Sequence, residues 1–243
     1  PGGLRERFER QLPFELTAGQ RAVLDEVAAD LEKPHPMHRL LQGEVGSGKT
    51  IVALLAMLQV IDSGGQAALL APTEVLASQH FRAITGLLGD LAKGGMLGGA
   101  DGATRVRLLT GSMGAKARKE SLLDAASGEA GIVVGTHALI QDNVQFAELG
   151  LLVVDEQHRF GVEQRSALVD RAEVAPHVLV MTATPIPRTI AMSVFGDLEV
   201  STLRELPAGR QPIQTTVVPC SERPTWLDRA WQRVREEVAK GRQ

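Results

Sequence analysis

Short, mostly apolar runs recur along this chain, and they constrain its fold more than any other feature of the sequence. They span residues 39–42, 67–71, 106–109, 132–134, 151–155 and 178–182. A strand apolar on both faces must be covered on both sides, as in a parallel sheet. Stretches with helical spacing lie between them, at residues 50–61, 75–88, 116–126 and 163–171. This alternation predicts an α/β domain with a doubly wound, mostly parallel sheet and helices on both faces. Ligands of such sheets sit at the carboxyl ends of the strands. Thr17-Ala-Gly-Gln20 has the form of a capping box and places the first helix at Thr17. Gly94-Gly-Met-Leu-Gly-Gly-Ala-Asp-Gly102 is a flexible loop by composition.

The pattern breaks near residues 206–212. One strand-like run follows at 213–218, then one amphipathic helix at 224–240, too little to enclose a core. The expected organisation is a lead-in over 1–16, one domain over 17–204, a linker over 205–212 and the severed start of a second domain over 213–243. The length of 243 residues suits one large domain plus such a piece.

Lys and Arg number 26 against 29 Asp and Glu, a net charge of −3, so any nucleic-acid contact must come from a local patch. The single cysteine, Cys220, excludes an intrachain disulfide framework and any CxxC metal site, and fits a reducing cytoplasm. Residues 1–10 are charged too early for a secretory signal. The longest apolar stretch, 51–61, contains Gln59 and is far short of the roughly 20 residues a bilayer requires. A cytoplasmic location with no membrane partner is expected.

Gly43-Glu-Val-Gly-Ser-Gly-Lys-Thr50 matches GxxxxGK[ST] in full, between an apolar strand and an apolar helix. Gly43, Gly46, Ser47 and Gly48 let the backbone curl so that its N–H groups converge on phosphate oxygens. The helix N-terminus adds its positive end. Lys49 is placed for the β- and γ-phosphates and the Thr50 hydroxyl for Mg²⁺. Leu151-Leu-Val-Val-Asp155-Glu156 supplies an acid at the end of a hydrophobic strand. Asp155 is placed to hold Mg²⁺, and Glu156 to orient or deprotonate an attacking water. ATP and Mg²⁺ are the expected cofactors.

Several strings then resemble one family. Asp155-Glu-Gln-His158 resembles the DExH box of superfamily 2 helicases, and Thr182-Ala-Thr184 their third motif. Ala71-Pro-Thr-Glu74 and Gly135-Thr-His137 resemble two further elements, motifs Ia and Ib. Asp155-Glu-Gln-His-Arg-Phe-Gly-Val162, Met181-Thr-Ala-Thr-Pro-Ile-Pro-Arg-Thr189 and Glu205-Leu-Pro-Ala-Gly-Arg210 look like the RecG-type branched-DNA helicases. Transcription-repair translocases of the Mfd type are similar in the first two.

The resemblance implies a RecA-like P-loop NTPase fold and DNA-coupled ATP hydrolysis. It implies that Gln157 and His158 link the γ-phosphate to movement, with a surface or capping role open for His158. Thr182 and Thr184 would link hydrolysis to DNA, or simply close the end of a strand. Gln20 would read the adenine base, or serve only as the capping-box side chain. Phe14 would stack near the adenine, or act as a hydrophobic staple before the helix.

Arg105, Arg107, Lys116, Arg118 and Lys119 form a run without an intervening acid. They are either a solvated face or a strip converging on one edge to contact DNA phosphates. Family position adds Pro72, Thr73, Gly111, Ser112, Gly135 and Thr136 as contacts to a DNA backbone. With no interleaved aromatics, sequence-independent contacts are expected.

The resemblance also implies a second motor lobe and an N-terminal wedge domain as intramolecular partners, and branched or duplex DNA as substrate. The expected activity is ATP-driven remodelling of replication forks and Holliday junctions in recombination and repair, with this piece alone inactive in unwinding. An Mfd-like duplex translocase, a P-loop phosphotransferase and a non-catalytic nucleotide-binding module are the competing readings.

Overall fold

The computed structural model describes residues 2–141, 143–155, 174–185, 198–205 and 215–241. The chain divides into two compact units, Pro1–Pro207 and Ala208–Gln243. The first contains, in order, α1 (Leu4–Gln11), α2 (Ala18–Leu31), β1 (His38–Gly43), α3 (Lys49–Asp62), β2 (Gln66–Leu70) and α4 (Glu74–Leu88). It continues with β3 (Arg105–Leu109), α5 (Ala115–Ser127), β4 (Ala130–Gly135), β5 (Leu149–Asp155), β6 (His177–Thr182) and β7 (Glu199–Leu203). The strands form one sheet in the order β3-β4-β2-β5-β6-β1-β7, and each pairing is parallel.

The six expected strands are all present. So are three of the four expected helices; the fourth, at 163–171, lies outside the described residues. The reason is visible in burial. All of β2 and all of β4 are buried, so no position can be polar without a partner. Side chains alternate between two cores. Leu41, Ala67, Leu69, Val153 and Leu179 face one, with α1 to α4. Leu40, Ala68, Leu70, Val154 and Val180 face the other, where α5 contributes Ala125. Helix α3 is apolar nearly all round because α1 and α2 cover it from outside the sheet.

Three expectations change. The first helix is α1, not the one capped by Thr17. Only Leu4 and Phe8 mark it as apolar, and its cap is not local. Asp62, at the end of α3, accepts hydrogen bonds from the N–H groups of Leu4 (2.7 Å) and Arg5 (3.1 Å). The acid thus satisfies the helix start that Gly3 has no side chain to cap.

The glycine-rich stretch at 94–102 is held by its backbone. Gly94 N–H donates to Thr104 (2.9 Å), Thr104 N–H to Leu91 (2.9 Å), and Lys93 bridges Arg105 in antiparallel fashion. Composition registers missing side chains, not the carbonyls waiting nearby.

The third change is β7, which the apolar runs did not mark. Among the described residues it is an edge strand paired with β1 alone, and its Ser201 is buried for a polar reason. Arg39 on β1, 8% exposed, donates to Asp30 on α2 (2.9 Å from Nε, 2.7 Å from Nη2) and to Ser201 (2.8 Å). It also reaches Glu26 (3.2 Å). Burial alone would raise the Asp30 carboxyl, but hydrogen bonds from Lys33 and Arg39 outweigh it and hold the group below its ordinary value. This cluster ties α2, β1 and β7 together.

In the second unit, the strand-like run expected at 213–218 is not a strand over residues 215–218, and residues 213 and 214 lie outside the described residues. The amphipathic helix is present as α6 (Thr225–Ala239). Leu227, Trp231, Val234 and Val238 line one exposed stripe of it. Among the described residues, no helix is long and apolar enough to cross a membrane.

Replacing Arg39 with Ala removes two of the hydrogen bonds to the buried Asp30 carboxylate and leaves that of Lys33. Urea denaturation should show a loss of about 3–5 kcal/mol, the cost of breaking a buried pair. His177 generates a pH dependence. Its Nδ1 accepts a hydrogen bond from Met37 N–H (2.8 Å), so protonation there breaks the contact. Burial depresses it below 6.5, aided by His38 and His35 and opposed by Asp30. The unfolded chain therefore binds the proton first. The contribution is complete above pH 6.5 and is lost as pH falls through the depressed folded value. Urea midpoints for His177→Gln, which keeps an acceptor but does not titrate, should fall less between pH 7.5 and 5 than those of the parent chain.

Candidate active site

Because the sheet is parallel throughout, the loops that leave the strands at their carboxyl ends share one edge. The phosphate-loop motif leaves β1 there. Its turn is closed by Ser47 N–H donating to Glu44 (3.0 Å). Gly48 is the N-cap of α3 and adopts the left-handed region, with φ of 89°. A Cβ at Gly48 would lie 2.2 Å from Gln20 Nε2, so backbone sterics and a neighbour both demand glycine. No side chain caps α3, which leaves its first N–H groups and the positive end of its dipole facing the loop.

Lys49 Nζ donates to the carbonyls of Gly43 (2.5 Å) and Glu44 (3.1 Å). Burial lowers the Lys49 ammonium from 10.5, while the negative charge of Asp155 acts in the opposite direction. Ser47 Oγ is buried and has no hydrogen-bond partner among the described residues. Gly43 backs directly onto it: a Cβ there would meet that oxygen at 2.4 Å. A lysine turned onto loop carbonyls and an orphaned hydroxyl beside uncapped amides suit a phosphate chain. Alongside lies a cavity of about 310 Å³ bounded by Gln42, Gly43, Ser47, Ala183, Pro185 and Leu203.

Gln20 is a capping-box residue in full. Thr17 N–H donates to its Oε1 (3.0 Å), and its own N–H donates to Thr17 Oγ1 (3.1 Å). The side chain does more than cap, because its Nε2 donates to the carbonyl of Ser47 (2.9 Å). The helix start and the phosphate loop are thus joined through one amide. Glu205, just past β7, braces the same helix by accepting from Gly19 N–H (3.1 Å). Phe14 is 47% exposed and borders a shallow cavity of about 270 Å³ with Glu9, Leu12 and Arg21. It does not act as a staple: the buried apolar residue next to the cap is Leu16.

Asp155 ends β5, and Thr50 stands in the first turn of α3. The strand between β5 and β1 is β6, so both groups flank the end of β6. There Thr184 N–H donates to Thr182 Oγ1 (3.1 Å), and the two threonines close the strand end as a unit. Glu156, Gln157 and His158 lie outside the described residues.

The other half of the edge carries the loops after β2, β3 and β4, which are neighbours in the sheet. Pro72 and Thr73, Gly111 and Ser112, and Gly135 and Thr136 are therefore brought together. Thr73 caps α4 by accepting from Leu76 N–H (3.2 Å). Glu74 joins two of these loops. Its carboxylate accepts from Ser112 N–H (3.0 Å) and from the Ser112 hydroxyl, and these two bonds hold its carboxyl below the ordinary value. Thr136 Oγ1 is buried with no partner among the described residues.

The basic run does not converge on one edge. Arg105 starts β3, at the opposite end of the sheet, and pairs with Glu129 and Asp124. Arg107 is mid-strand and donates to Asp124 (2.6 Å). Lys116, Arg118 and Lys119 lie at the start of α5, on the edge with the loops. Of these, Arg118 is turned to Gln141 (2.5 Å) and the Thr110 carbonyl (3.4 Å). The alternation of the run in sequence thus crosses the whole length of a strand.

One residue at the site carries no motif of its own, His80: its Nε2 lies 2.6 Å from Asp155 Oδ2. Only the pairing of β2 with β5 brings these positions together, and no local signal marks it.

The sequence profile of the DEAD/DEAH box helicases matches residues 17–193. The chain belongs to that family. ATP-dependent DNA helicase RecG of Mycobacterium tuberculosis strain H37Rv is 64% identical over 243 residues, which are 99% of this chain and 33% of that protein. RecG of Bacillus subtilis strain 168 is 49% identical over 237 residues, 98% of this chain and 32% of its own length. The chain therefore spans about a third of these relatives. The structure of RecG bound to a three-way DNA junction superposes with a TM-score of 0.78 at 38% identity, over 98% of this chain and 30% of that one. Saccharomyces cerevisiae Dbp5 bound to RNA and ADP BeF3 shares the fold, with a TM-score of 0.58 at 18% identity over 82% of this chain and 49% of that one.

In this DEAD/DEAH box chain, Gly48→Ala should cost about 1–2 kcal/mol from the left-handed backbone alone. It should also dislodge Gln20 from Ser47. Titration with a fluorescent ADP analogue is expected to show nucleotide affinity reduced at least tenfold, with only a small fall in melting temperature.

Proposed function

We propose that this chain is the first, ATP-binding motor lobe of a RecG-type DNA helicase, which couples ATP hydrolysis to remodelling of branched DNA such as forks and Holliday junctions. The observation that carries the reading is the division of one sheet edge. The phosphate loop, Asp155 and the paired threonines Thr182 and Thr184 occupy one half, and three loops suited to a nucleic-acid backbone occupy the other. The relative solved on a three-way DNA junction supports DNA as the partner. Recombination and repair in the cytoplasm are the setting such an enzyme serves.

Within this reading, Gly43, Gly46, Ser47, Gly48 and Lys49 bind the phosphates through backbone N–H groups and one ammonium. Thr50 and Asp155 would hold Mg²⁺, which would supply charge neutralisation for the phosphate chain. Glu156 orients or deprotonates the attacking water, and Gln157 and His158 respond to the γ-phosphate. Phe14 and Gln20 meet the base. For Gln20 this requires the amide to exchange its hold on Ser47, so base contact and loop release are one event. Pro72, Thr73, Gly111, Ser112, Gly135 and Thr136 contact the DNA backbone, with Lys116 and Lys119 as exposed cations beside them. The second motor lobe and a wedge domain are partners within the longer protein, and a segment over residues 205–212 links the lobes.

The test is ATP hydrolysis by the protein at the length of its relatives. A three-way junction should raise the rate. Glu156→Gln should keep ATP binding and lower turnover by about 10²–10⁴-fold, the range for removing a general base. Hydrolysis indifferent to DNA would overturn the reading.

A further inference from the structure

His80 is not accounted for by the phosphate loop, the acidic strand end or the nucleic-acid loops, yet it touches the metal-holding carboxylate. Its Nε2 is 2.6 Å from Asp155 Oδ2, and the two side chains are only 14% and 19% exposed. A carboxylate accepts, so Nε2 carries the proton and donates. This bond engages one carboxylate oxygen. Among the described residues, no hydrogen bond to the other is present.

The imidazole is carried by a rigid element. Helix α4 is capped by Thr73 and buries Ala77, Ile84 and Leu88 along the stripe that includes position 80. Its first residue, Glu74, is bonded to Ser112 in the loop after β3. The helix leaves β2, and β2 pairs with β5, the strand that ends in Asp155. His80 therefore stands where the nucleotide half of the sheet edge meets the nucleic-acid half.

We propose that His80 is a positioning residue for the divalent-cation site: it fixes the rotamer of Asp155 through Oδ2 and so presents Oδ1 to the cation or its water. It also makes α4, which begins at the nucleic-acid loops, a direct support of that carboxylate. Partners that orient a liganding carboxylate matter nearly as much as the ligand, and their loss costs roughly 10–100-fold in metal affinity. The inference rests on the reading of Asp155 as a metal-holding residue.

The experiment is Mn²⁺ binding to the 243-residue chain with ADP present, followed by electron paramagnetic resonance. Binding of a fluorescent ADP analogue in EDTA is measured alongside. The unsubstituted chain, His80→Ala, His80→Gln and Asp155→Ala are compared. His80→Ala is expected to weaken Mn²⁺ by roughly 10–100-fold while leaving metal-free nucleotide affinity unchanged. His80→Gln, which restores an N–H at a similar reach, should recover most of the loss.

Equal Mn²⁺ affinity in His80→Ala and the unsubstituted chain, with Asp155→Ala defective, would overturn the positioning role alone. Loss of metal-free nucleotide binding in His80→Ala would also overturn it, because the role would then be structural. If Asp155→Ala binds Mn²⁺ as tightly as the unsubstituted chain, the reading of Asp155 fails and takes this proposal with it.

Discussion

The parallel hydrogen bonding of the seven strands is the constraint on which the rest of the molecule depends. Parallel neighbours end at the same edge, and each must return through a crossover that covers a face. Two consequences follow. The central strands are sealed on both sides, so β4, β5 and β6 are apolar along most of their length. The segments free to carry chemistry are the loops at the strand ends, and one edge collects those that follow the strands. Residues far apart in sequence thereby come to share one surface.

That edge is divided by strand order. The sequence β3-β4-β2 supplies one half and β5-β6-β1-β7 the other, with β2 and β5 at the seam. Contacts along this edge are individual hydrogen bonds: two from Ser112 to Glu74, one from Gln20 to Ser47 and one between His80 and Asp155. Each joins two loops or a helix to a loop. Through such joints a change at one loop can bias another, because each is a physical connection with a preferred arrangement.

Much of this was legible in the sequence, and the reason is periodicity. Strands such as β2 and β4 are buried on both faces and cannot hide their apolar character. The phosphate loop combines glycines, a lysine and a hydroxyl in an order few other structures require. The elements that escaped were stabilised from a distance. Helix α1 has two apolar residues, and its cap, Asp62, lies 58 positions away from Leu4. Strand β7 is short, lies at the sheet edge, and places Ser201 inward to meet Arg39. The basic run misled for a related reason: residues 105 and 118 are close in sequence, but a whole strand separates them in space.

The sequence by itself determined the α/β class, six of the seven strands of the sheet, and a phosphate-loop motif followed by an acidic strand end. Those properties depend on local pattern, on burial that repeats every second residue, and on the conformational freedom of glycine. The tertiary structure alone decided which strands are neighbours, and hence what each functional side chain touches. It turned Gln20 from an isolated cap into a clasp on Ser47, drew Arg105 and Arg107 away to Asp124, and set His80 against Asp155. Strand order is settled by how whole faces of the sheet are covered by helices. No short stretch of sequence records that energy, because it belongs to the packed domain and not to any segment of it.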